Sequence, residues 1–160
     1  MNTPEHHRQG VIPDSPATGM KPLNIVWQRL VTADETTCAR CSATQQEIQR
    51  ALDILKNVLR PLGIEPHLRV IDIDDAYFKA HPRESNRLWI ADKPLEDWLD
   101  AHVGASTCCP VCAGAPCRTI EVGGRVFEAI PDHLIIKAAL VAAAQLMMPS
   151  GQGPRSEVPA

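Results

Sequence analysis

The stretch from Leu23 to Asp74, LNIVWQRLVTADETTCARCSATQQEIQRALDILKNVLRPLGIEPHLRVIDID, decides the fold. Leu23 to Val31 is a β-branched, aromatic-containing run that reads as a buried strand. Ile48, Ala51, Leu52, Leu55, Val58, Leu59 and Leu62 then recur at three- and four-residue steps, which gathers them into one apolar helical stripe. Pro61 and Gly63 stop that helix, and His67 to Asp74 reads as a second strand. Strand, helix and strand with a short return form a βαβ unit, which implies parallel pairing through a right-handed crossover.

Working outward, Asp75 to Pro82 reads as a short helical or irregular link and Leu88 to Ile90 as a third strand. Pro94 to Ala101 (PLEDWLDA) reads as a helix with proline in its first turn. Arg118 to Ile130 alternates around Gly123-Gly124, a hairpin signal. Pro131 to Met147 is a helix apolar nearly all round, to be buried deeply or shared with a second copy of the chain. The fold class is therefore α/β, with one domain over 23–148 between disordered tails at 1–22 and 149–160. Both tails are rich in proline and polar residues and too poor in apolar ones to offset the entropy of ordering.

The chain has 160 residues, of which 44% are hydrophobic and 22% charged, with a formal charge of −3. That is a globular composition. Lys and Arg are scattered and aromatics make up only 4%, which argues against a nucleic-acid partner. No secretory h-region precedes the domain. The longest apolar run, Leu134 to Met148, carries Lys137 and Gln145 and is too short to span a bilayer. The expected location is the cytoplasm, away from membranes, where thiols stay reduced.

That setting gives the six cysteines their meaning: Cys38, Cys41, Cys108, Cys109, Cys112 and Cys117. Cys38-Ala39-Arg40-Cys41 falls where the first helix begins, so its thiols face unsatisfied N–H groups and the positive end of the helix dipole. Cys38 reads as a nucleophile and Cys41 as the resolving thiol, with the Arg40 charge between them. The other reading makes the pair half of a structural zinc site.

The order of elements around CARC looks like the thioredoxin-like fold, in three layers with a cysteine-rich loop inserted. More narrowly, TTCARC, SNRLWIADKPLEDWL, CCPVC and CRTIEVGGRVFEAIP resemble the DUF2703 family, an uncharacterised prokaryotic group associated with that fold. The resemblance covers about residues 23–145 and implies a fold more than an activity. The chain departs from thioredoxins in one place. Where they carry a cis-proline facing the CxxC, this sequence has Ser85-Asn86-Arg87, and Pro82 comes too early.

The second cluster, Cys108-Cys109-Pro110-Val111-Cys112 with Cys117, has no counterpart in a thioredoxin. CPVC with glycine two residues on resembles a zinc knuckle, whose backbone N–H groups point at thiolates. Cys109, Cys112 and Cys117 offer three ligands. Cys108, His102 or a CARC cysteine, Cys38 or Cys41, would supply a fourth. The leading reading is a thiol–disulfide oxidoreductase that acts on a protein or small-molecule disulfide. The alternative is a non-enzymatic protein that binds zinc as cofactor, or a soft metal such as Hg(II), As(III) or Cu(I).

Other features take ordinary explanations. His6, His7, His67 and His133 read as surface or capping residues, and His81 as an outside candidate base. Trp27, Trp89 and Trp98 read as core. Asp72, Asp74 and Asp75 mark a solvated strand end, since no phosphate-binding loop accompanies them.

Overall fold

The computed structural model describes residues 19–149; the expected tails lie almost wholly outside the described residues. The chain forms a mixed α/β fold with two sheets and four helices. The βαβ unit is β1 (Lys21–Leu30), α1 (Ala39–Leu59) and β2 (Ile64–Ile73), with β1 and β2 parallel in register from Lys21↔Ile64 to Leu30↔Ile73. Strand β1 takes in Lys21 and Pro22, two residues ahead of the expected domain start. Leu23, Ile25 and Trp27 are buried on one side of it, and Leu30 at its end is buried as well.

The apolar stripe of α1 is narrower than its sequence suggests. Cys41, Thr44, Ile48, Ala51, Leu52, Leu55 and Leu59 are buried, whereas Val58 and Leu62 are exposed. Thr44 belongs to the buried face because its Oγ1 accepts the Ile130 N–H at 3.1 Å. A 3₁₀ turn over Arg60–Leu62 and Gly63 at φ 71° return the chain to β2.

After β2, Asp74 caps the short helix α2 (Asp75–Ala80) by accepting the Tyr77 N–H at 2.8 Å. Strand β3 (Arg87–Ile90) runs antiparallel to β1, and β4 (Lys93–Pro94) antiparallel to β3. The first sheet is thus ordered β2-β1-β3-β4. Helices α1 and α4 (Asp132–Met147) pack together over one face of it. On the other face Val26, Gln28, Arg69, Ile71 and Trp89 line an open depression of about 280 Å³. Trp89 is therefore not a core residue; it lies under the Arg87 guanidinium, 4.7 Å from its ring centroid. With helices α1 and α4 on one face and an open depression on the other, the sheet and its helices form two layers and not the expected three.

The expected hairpin forms, turning at Gly123-Gly124 between β6 (Pro116–Val122) and β7 (Arg125–Phe127), but it does not join the first sheet. It pairs with β5 (His102–Thr107), a strand the sequence reading left as loop. HVGAST is short and rich in small residues, so it carries little strand signal. Gly104 suits the pairing: a Cβ there would stand 2.9 Å from Thr119 Oγ1. Arg118 on β6, nearly buried, fastens this second sheet through the Arg83 carbonyl and the carboxylate of Glu96 on α3 (Leu95–Leu99).

Helix α4 is two-sided. Leu134, Ile135, Ala138, Ala139, Ala142 and Ala143 are buried, while Leu140 and Val141 face outward. Among the described residues no helix is long and apolar enough to cross a membrane.

Candidate thiol centre

Cys38 is the residue immediately before α1, in extended backbone (φ −74°, ψ 161°). Thr37 anchors the approach by donating its hydroxyl to the Leu30 carbonyl at 2.9 Å. From the other direction, the loop after β5 folds on itself. Cys108 N–H donates to Ala115 O and Cys112 N–H to Cys109 O, each at 3.0 Å, and Ala113 and Gly114 turn the chain at φ 50° and 69°. This is the knuckle anticipated from CPVC.

The loop lies over the start of α1, so the Sγ atoms of Cys38, Cys108, Cys109 and Cys112 fall within 4.8 Å of one another. Three of the four residues are buried and Cys109 is partly exposed. Thiolates around a zinc ion at Zn–S about 2.3 Å stand about 3.8 Å apart, so modest contraction would close a tetrahedral site. All six cysteines are free thiols.

Cys41 and Cys117 fall outside this group of four. Cys41 is buried one turn into α1, with its Sγ 3.5 Å from Ser85 Oγ. Ser85, whose Oγ also accepts the Leu30 N–H at 3.0 Å, stands just ahead of β3. Cys117 is buried on β6, outside the four. His102 is exposed on β5 opposite Glu121 and takes no part in the cluster.

The environments of the sulfurs diverge. The Cys41 S–H donates to Cys38, and together with the backbone N–H groups of Cys41 and Arg40 and the Cys112 S–H it outweighs burial, drawing Cys38 down to about 5. The same bond, with burial, pushes Cys41 upward. Burial would raise Cys109, but N–H groups of Ala39, Cys112 and Val111 overcome it and lower its pKa. Burial raises Cys108 and Cys112, and brings Cys117 up to about 12. In the metal-free chain backbone amides thus favour the thiolate form at Cys38 and Cys109, from the start of α1 for Cys38 and from Ala39 and the cysteine loop for Cys109.

Arg40 differs from its sequence reading. Its guanidinium donates to Thr107 O at 2.6 Å and pairs with Glu128 at 3.0 Å, so it holds the cysteine loop to α1. Its backbone N–H, rather than its charge, acts on Cys38. Ser85 reaches the centre through its contact with Cys41, a pairing that sequence spacing does not predict.

The model of the domain of unknown function DUF2703 matches residues 23–139. The chain belongs to the DUF2703 family. A relative in Archaeoglobus fulgidus, described as an uncharacterised protein, is 40% identical over 113 residues, which cover 71% of this chain and 82% of that one. No solved structure matches the chain. This DUF2703 member carries a cysteine-rich cluster whose chemistry is compatible with metal binding or redox exchange.

Proposed function

We propose that this DUF2703 protein binds one thiophilic metal ion through Cys38, Cys108, Cys109 and Cys112. The observation that carries the reading is the convergence of four sulfurs within 4.8 Å from two segments far apart in sequence. Zinc fits four thiolates; Hg(II), Cu(I) and As(III) fit two or three of the same sulfurs. Amide donors already aimed at Cys109, as in a zinc knuckle, support a site that stabilises anionic sulfur.

A second reading is a thiol–disulfide oxidoreductase built on Cys38 and Cys41 in a thioredoxin-like unit. It is favoured by the β2-β1-β3-β4 sheet with α1 and α4 on one face, and by the low pKa of Cys38 beside a resolving thiol. It ranks second because Cys38 is 2% exposed beneath the cysteine loop, out of reach of a protein disulfide. Either chemistry suits a reducing compartment, the cytoplasm.

The test is metal loading of the reduced full-length chain. Cobalt(II) as a spectroscopic stand-in for zinc should give thiolate charge-transfer bands at one ion per chain, lost in Cys38→Ser. A chain that takes up neither cobalt nor zinc yet reduces a small disulfide through Cys38 would make the second reading the correct one.

A further inference from the structure

We infer that Cys38 is a shared sulfur whose oxidation to a disulfide with Cys41 expels the metal ion, so that metal holding answers to the thiol–disulfide state of the surroundings. The inference rests on the four-thiolate reading. Cys38 belongs to two constellations that cannot be satisfied together. In one its sulfur is among four within 4.8 Å. In the other it caps α1 with Cys41 three residues on in the first helical turn, the CxxC spacing at which a disulfide closes.

Cys41 is placed for the second role alone. It is not among the four residues whose sulfurs lie within 4.8 Å of one another. Its sulfur lies against Ser85 Oγ at 3.5 Å, and Ser85 is itself fixed by the Leu30 N–H. Cys41 is thus held beside one ligand without being one. Cys109, the partly exposed member of the four, is the sulfur an external reagent meets first.

With a small-molecule disulfide R–S–S–R as oxidant, the steps balance. The Cys109 thiolate attacks one sulfur of the reagent; its S–S bond breaks, Cys109–S–S–R forms and RS⁻ leaves. The Cys38 thiolate attacks the Cys109 sulfur, giving a Cys38–Cys109 disulfide and a second RS⁻. Cys41 gives up its proton, which passes through solvent to RS⁻, and its thiolate attacks Cys38. The Cys38–Cys41 disulfide forms and Cys109 leaves as thiolate. Two electrons have passed from Cys38 and Cys41 to the reagent, now one thiol and one thiolate, and the metal has lost one of four donors. Excess thiol reverses the first two steps; closure onto Cys41 retains the oxidised state.

The test uses the zinc-loaded full-length chain in glutathione buffers of graded oxidised-to-reduced ratio, with released zinc read by a chromogenic chelator and linkages mapped by peptide mass spectrometry. Zinc should leave in step with the Cys38–Cys41 linkage and return on reduction. Cys41→Ser and Cys41→Ala should take up zinc at wild-type stoichiometry and release at least about tenfold less at the same ratio. Equal release from the Cys41 variants, or a wild-type linkage mapped to Cys109–Cys112, overturns the inference and leaves the metal site standing. A reduced chain that takes up no zinc overturns both.

Discussion

The Arg40 Nη2 lies 2.6 Å from the Thr107 carbonyl oxygen, which fastens the first turn of α1 to the end of β5 at the root of the cysteine loop. Glu128 completes the clasp, accepting from Arg40 at 3.0 Å and from Ser106 Oγ at 2.9 Å. A hydrogen bond from a charged donor contributes about 1.5–3 kcal/mol. Arg40→Ala should therefore weaken zinc affinity by about tenfold or more by freeing the loop, with the charge-transfer spectrum of the loaded cobalt form unchanged. Chelator competition measures this. Unaltered affinity would mean that the metal alone holds the loop.

Removal of single sulfurs should sort the cysteines into ligands and neighbours. Serine at position 38, 108, 109 or 112 should each abolish the four-thiolate cobalt spectrum, because each deletes one of the clustered Sγ atoms. Cys117→Ser should keep it at full stoichiometry, since Cys117 lies outside the four. A cobalt spectrum that depends on Cys117 and survives Cys38→Ser would restore the ligand set first read from the sequence.

Thr44 tests the joint between the two long helices. It is fully buried, and its hydroxyl accepts the Ile130 N–H just ahead of α4. Thr44→Val keeps the shape and removes the acceptor, leaving a buried N–H unsatisfied, at a cost of about 1–3 kcal/mol. Urea denaturation should show the midpoint falling with little change in slope, and Thr44→Ser should recover most of the loss.

The metal-free chain should show two opposite pH dependences. Cys38, lowered to about 5 from 9.0, is ionised when folded and protonated when unfolded between those values. Its contribution is full above about 9 and is lost as pH falls through about 5. Cys41, Cys112 and Cys117 are raised, so above 9.0 they ionise in the unfolded chain while staying protonated in the folded one, and stability falls as pH rises. Denaturation of the reduced apoprotein across this range should give a thiol-dependent maximum near pH 9, and Cys38→Ser should flatten its acid limb.

Elements set by local periodicity were legible in the residues themselves. The βαβ unit followed from the Leu23 run, the Ile48–Leu59 spacing and the Pro61/Gly63 stop, and the second hairpin from Gly123-Gly124. The width of the α1 face was not, because Val58 and Leu62 satisfy helical spacing yet meet no partner. Strand β5 was missed because small residues become a strand there only against β6.

By itself the sequence determined that six thiols exist, that one pair begins a helix, and that CPVC forms a knuckle, since each depends on near neighbours along the chain. Only the tertiary structure decided which sulfurs meet. Cys38 joins Cys108, Cys109 and Cys112 because the second sheet is clasped to α1 through Arg40 and to α3 through Arg118. Cys117 on β6 stays outside the four, and Cys41 is held against Ser85. Sequence spacing carries no record of such long-range docking, whose geometry is set by side chains that meet only once the chain has folded.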